Sequence, residues 1–214
     1  MNGYYPRLAL LWLVCAGVGC TSAPVRYYTL TLPPDKTLPV SETTLAIDVR
    51  VVHVPPQLKR TELMVRTGPT ELTLLENERW ASPVNDEIRE ALRLELQRRP
   101  ARLAALRPAF AKLTLDIDVQ HLEAELGRYA LLEASWRATL SASGSNGARA
   151  TACTFQADEK IRAGYAGIVE GYQREVAALA DAIIAALTSS ASGIDVPCQK
   201  SIEGSAGESG SKDH

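Results

Sequence analysis

Leu113-Thr114-Leu115-Asp116-Ile117-Asp118-Val119-Gln120 alternates apolar and polar residues without a break, and Leu132-Glu133-Ala134-Ser135-Trp136-Arg137-Ala138-Thr139-Leu140 repeats the pattern soon after. A period of two puts every second side chain on one face, so each segment reads as a strand with one buried and one wet side. Such alternation belongs to antiparallel neighbours, because parallel strands covered on both faces read as continuous apolar runs. Gly144-Ser145-Asn146-Gly147 then forms a turn, and Arg149 to Ala157 runs back as a third strand.

Upstream, the spacing predicts a helix opened by Ser82 as cap and Pro83 in the first helical position, with Asp86 and Glu87 near its positive end. Val84, Ile88, Leu92 and Leu96 form its apolar stripe, Arg98-Arg99 lie at its end, and Pro100 stops it. Before it, Glu62 to Arg66 and Glu71 to Leu75 read as a hairpin around Gly68-Pro69. Leu45, Ile47, Val49 and Val51 alternate with polar or small residues in an earlier strand closed by Pro55-Pro56. Arg26 to Leu32 is a further strand, ended by Pro33-Pro34. A last helix runs from about Ile168 to Thr188, with Val169, Tyr172, Val176, Leu179, Ile183 and Leu187 as its stripe, widened by Ala180 and Ile184. From Ser189 the chain is Ser-, Gly- and charge-rich and cannot bury enough surface to order itself. Strands, helix, strands, helix give an α+β fold: a mixed, mostly antiparallel β-sheet with two main α-helices packed on it.

Residues 1–19 have a different character. Arg7 precedes the apolar run Leu8 to Val14, which is too short to span a membrane and has the form of an export signal. Gly17-Val18-Gly19-Cys20 resembles the bacterial lipobox, with Gly17 where that pattern usually has Leu. The resemblance implies cleavage before Cys20 and lipid on its sulfur; an ordinary signal peptide with an incidental thiol is the alternative. Thr21 stands where an Asp would retain a lipoprotein at the inner membrane, so the periplasmic face of the outer membrane is the expected location. The domain expectation is therefore a signal peptide over 1–19, a periplasmic domain over 20–188 and a tail over 189–214.

Without Arg7 the mature chain carries 22 basic against 25 acidic residues, which offers no clustered cationic case for nucleic acid. Cys153 and Cys198 remain in the domain and tail, a candidate disulfide in an oxidising compartment. His53, His121 and His214 have no metal-ligand spacing, and the first two read as polar residues at strand ends. Asp116 and Asp118 share a strand face, a conceivable acid–base pair, but Glu133 and Arg137 alongside favour a solvated charge ladder. Arg60 and Arg66 have Glu62 and Glu71 as nearby partners. No nucleophile elbow, phosphate loop or Cys-x-x-Cys is present. No catalytic residues, metal or cofactor are expected.

One stretch is more specific. His53-Val54-Pro55-Pro56-Gln57-Leu58-Lys59-Arg60, Leu63-Met64-Val65-Arg66 and Glu78-Arg79-Trp80-Ala81-Ser82-Pro83, with Tyr27-Tyr28-Thr29-Leu30 after the lipobox, resemble the auxiliary lipoprotein of the paraquat-inducible transport system, the PqiC/YmbA family. Lys59 stands where that pattern has Asp. The resemblance covers roughly residues 20–188. It implies a non-catalytic, membrane-anchored periplasmic subunit of an ABC-type transport system moving lipid or small molecules. The implied partners are an MCE-domain protein with its inner-membrane components, the membrane through Cys20, and further copies of the chain. Pro55, Pro56, Leu58, Arg60 and Trp80 are candidate interface residues, although a strand-ending turn and a core tryptophan would look the same. A stand-alone envelope lipoprotein binding peptidoglycan or an outer-membrane assembly factor is the second reading.

Overall fold

The computed structural model describes residues 23–33, 45–106, 110–142 and 148–191. The export segment with Cys20, the Gly144–Gly147 turn, Cys198 and His214 lie outside them. Seven strands form one mixed sheet: β1 (Arg26–Tyr28), β2 (Ala46–His53), β3 (Glu62–Gly68), β4 (Glu71–Trp80), β5 (Lys112–Glu125), β6 (Tyr129–Ser141) and β7 (Ala148–Lys160). Helices α1 (Val84–Gln97) and α3 (Tyr165–Ala191) are the long ones, and α2 (Pro100–Leu103) is a single turn between them. The α+β expectation holds.

The three alternating segments form an antiparallel meander, β5-β6-β7, with Trp136 beside Ile117 and Cys153. Leu113, Leu115, Ile117, Leu132, Ala134, Trp136, Ala138 and Leu140 all face the core, as a period of two requires. β5 and β6 extend beyond the expected limits and meet at the tight turn Leu126–Arg128, where Gly127 adopts a positive φ of 71°. The hairpin β3–β4 also forms as read.

The remaining strands depart from a simple meander. The strand order is β1-β4-β3-β5-β6-β7, and β2 also pairs with β5. β2 runs parallel to the first half of β5, whereas β3 meets β5 only at Arg66 and Glu125, so β5 exchanges partners along its length. A bulge between Val49 and Val51 reverses the facing of β2: Val52 and Val54, rather than Val51, join Leu45 and Val49 in the core. β1 is only three residues long and pairs parallel with the end of β4. Leu30 leaves the ladder and is buried beyond it.

The helices cover one face of the sheet, α1 against β2 and α3 against β6 and β7, and they also contact each other. All the expected stripe residues of both helices are buried. Pro83 occupies the N-cap position of α1 and makes no side-chain cap, and Pro100 begins α2 instead of ending helical structure. Proline fits there because its missing N–H would be unpaired in a first turn anyway. α3 runs three residues past the expected end at Thr188. It packs close against the sheet at Gly171, where an added Cβ would lie 2.9 Å from the Ala130 Cβ and 2.6 Å from the Ile161 Cγ2. Among the described residues no helix is long and apolar enough to cross a membrane.

Candidate functional site

Between β2 and β3 the chain crosses the place where β5 changes partners. Pro55 and Pro56 break the ladder, and a single 3-10 turn over Pro56–Leu58 follows, closed by Leu58 N–H donating to Pro55 O at 2.9 Å. Pro56, Gln57, Lys59 and Arg60 are exposed. Leu58 is half-buried over a narrow cleft that Met64, Trp80, Ile168 and Tyr172 also line. Trp80 itself is only 5% exposed, and its ring lies 6.2 Å from that of Tyr172. It supports the turn from beneath and offers no surface to a partner.

The next residues lock the hairpin to the meander. Arg66 reaches across to Glu123 of β5, Nε donating to Oε1 at 2.6 Å, and also donates to the carbonyls of Gly68 and Pro69 at the turn. The Tyr129 hydroxyl donates to the same Glu123 oxygen at 2.6 Å. Hydrogen bonding by Arg66 holds the Glu123 carboxyl below its ordinary range. The expected pairing of Arg66 with Glu71 or Glu62 is not the one observed: Glu62 faces Arg79 at 3.4 Å, because the bulge near β3's start brings those two into register. His121 lies inside β5 rather than at a strand end, at a register shift, with Nδ1 2.6 Å from Glu133 Oε2.

The segment leading from the N-terminus is clamped by two buried glutamates. Glu78 of β4 accepts from the guanidinium of Arg26 and, at 2.7 Å, from the Tyr28 hydroxyl. Burial alone would raise its carboxyl, but the bonds from Arg26 and Tyr28 outweigh that and hold it below the usual carboxylate range. Glu87, in the first turn of α1, accepts the Leu30 N–H at 2.8 Å, the Thr29 hydroxyl at 2.7 Å, and the N–H and hydroxyl of Ser82 at 3.1 and 2.7 Å. Ser82 therefore serves the helix start through Glu87. Neither clamp was foreseen from sequence, although Glu87 had been placed at the positive helix end, where an anion is favoured.

On the helix-free face, His53, Asp116, Asp118, Ser135 and Arg137 border an open groove of about 650 Å³ together with Ala152 and Thr154 of β7. Asp116 is bound by Arg50, Nε donating to Oδ1 at 3.0 Å. Arg137 sits beside it in the ladder without being that partner. Among the described residues no group of His, Cys, Asp and Glu is arranged to hold a metal. Cys153 is disulfide-bonded.

Polar side chains thus hold the chain's start and its hairpin in place. The family model for the ABC-type transport auxiliary lipoprotein component matches residues 28–184. The chain belongs to that family. The matched region begins at the end of β1 and takes in the Pro55–Arg60 turn, Trp80, Cys153 and the whole Glu87 clamp of this auxiliary lipoprotein, while Arg26 of the Glu78 clamp lies just before it. Its fold is one already seen in crystals. An uncharacterized protein is 20% identical with a TM-score of 0.58, covering 76% of this chain and 98% of that one. A Xanthomonas campestris protein, XCC0632, is 16% identical with a TM-score of 0.47, over 78% and 99%. No curated protein matches the chain significantly.

Proposed function

We propose that this auxiliary lipoprotein is a non-catalytic subunit of an MCE-type transport system for lipids or small molecules, held by lipid on Cys20 at the periplasmic face of the outer membrane. The observation that carries this reading is the double clamp. Ala23, three residues after Cys20, opens the described chain, and Arg26 and Leu30 are then fixed to Glu78 and Glu87. A domain tied this firmly at its lipid-bearing end suits a docking part held against a membrane. The exposed Pro56–Arg60 turn, stiffened by two prolines and backed by Trp80, is the proposed contact for the MCE partner.

Replacing Cys20 with Ser releases the protein into the soluble periplasmic fraction; unchanged membrane fractionation would overturn the anchor. Substituting Leu58 and Arg60 together with Ala abolishes co-purification with the MCE partner while leaving the domain folded. Retained co-purification would reject the turn as the contact.

The bond of Cys153 is proposed to run to Cys198. Cys15 lies before the expected cut and Cys20 is assigned to lipid. The Arg149 guanidinium donates to the Ser190 carbonyl at 2.8 Å, which sets the end of α3 beside the start of β7. From there Cys153 is four strand positions away, about 13 Å, within reach of the intervening chain.

A further inference from the structure

Six large apolar side chains are notably exposed among the described residues, and four of them, Val25, Tyr27, Leu72 and Leu74, belong to one edge of the sheet. Tyr27 is 66% exposed and pairs in register with Arg79, whereas its neighbours Arg26 and Tyr28 both bond the buried Glu78, which leaves Tyr27 on the opposite, outer side. Leu72 and Leu74 alternate on β4 with the half-buried Thr73 and Leu75, so they also face out. Leu74 shares a shallow hollow with Ala23 and Pro24, which joins the β4 leucines to the start of the described chain.

We infer that this β1–β4 edge is a membrane-contacting surface, with Tyr27, Val25, Leu74 and Leu72 seated in the headgroup region of a phospholipid layer. The inference rests on the anchoring of Cys20. Only two residues lie between Cys20 and Ala23, a reach of at most about 11 Å over three Cα steps, so an anchored chain holds this edge close to the bilayer. The clamps on Arg26 and Leu30 prevent the domain from swinging away on a longer leash. A tyrosine with an apolar body and a polar tip suits that interface. Glu71 and Glu76 are exposed on the same strand and would be repelled by an anionic layer, so the surface this edge fits is a zwitterionic one such as phosphatidylethanolamine.

The full-length lipoprotein, reconstituted in phosphatidylethanolamine-rich vesicles, tests this. Tyr27→Cys, Leu74→Cys and Gln156→Cys variants each carry an environment-sensitive fluorophore, and the vesicles contain a phospholipid with a nitroxide near the headgroup end of its acyl chain. Gln156 is exposed on β7, about 24 Å away across the sheet. Several-fold stronger quenching at positions 27 and 74 than at 156 is expected. Equal quenching at all three, in protein that sediments with the vesicles, overturns the membrane-facing edge and leaves the anchor standing. Protein that fails to sediment with vesicles overturns both. A concentration-dependent fluorescence change at 27 and 74 without lipid assigns the edge to contacts between copies and also rejects the proposal.

Discussion

The carboxylate of Glu87 accepts the backbone N–H of Leu30 at 2.8 Å across 57 positions of sequence. It ties the segment after β1 to the first turn of α1, and three more donors converge on the same side chain. Glu87→Ala leaves the buried Leu30 N–H unpaired and should destabilise the domain by about 3 kcal/mol. Glu87→Gln keeps one acceptor oxygen and should cost less. Urea unfolding of the two variants checks the order, and a cost for Ala no larger than for Gln would refute the clamp.

Glu175 on α3 is buried, and neither of its oxygens meets a side-chain hydrogen-bond donor among the described residues. Burial, with the negative charges of Glu159 and Asp158 adding to it and Arg174 only partly offsetting it, raises its carboxyl to about 9. The folded group thus binds its proton more tightly than the unfolded one. Its penalty is absent below the unfolded value of about 4.5 and grows as pH rises toward 9, reaching on the order of 3 kcal/mol near neutrality. Glu175→Gln should match the parent near pH 5 and be more stable than it near pH 8. Parallel pH profiles of the two proteins would contradict the assignment.

At Gly171, α3 packs close against Ala130 of β6. Gly171→Ala places a methyl group against Ala130 and Ile161 and should lower stability by about 1–3 kcal/mol despite alanine's better helix propensity. Ile161→Ala removes the Cγ2 that the new methyl meets, so Gly171→Ala should cost less in that background than in the parent, and thermal unfolding of the single and double variants measures the recovery. No recovery would show that the backbone approach, rather than Ile161, sets the limit.

If Cys153 is joined to Cys198, a non-reducing digest yields one peptide containing both residues. Cys198→Ser should then reduce stability by about 2–4 kcal/mol, as for a bridge closing a loop of this size. Equal stability of parent and Cys198→Ser under oxidising conditions would argue against the link.

The strands of the meander, the β3–β4 hairpin and the buried stripes of both long helices were legible in the sequence. Each depends on a local rule: period two, period 3.6, or a Gly-Pro turn between strand formers. The Pro55–Arg60 turn was also legible as a short motif, because its geometry is set by adjacent residues.

What only the tertiary structure decided was which distant segments meet. Periodicity says that β2 has a buried face, but not that it runs parallel to β5 or that a bulge hands its core position from Val51 to Val52. Sequence proximity suggested Glu62 or Glu71 for Arg66, yet folding delivered Glu123, 57 positions away. Glu78 and Glu87 become clamps only because folding brings Arg26, Tyr28, Thr29 and Leu30 to them. A side chain's solvent preference is written in its own residue and its neighbours, whereas the partner that satisfies a buried charge is set by the path of the whole chain.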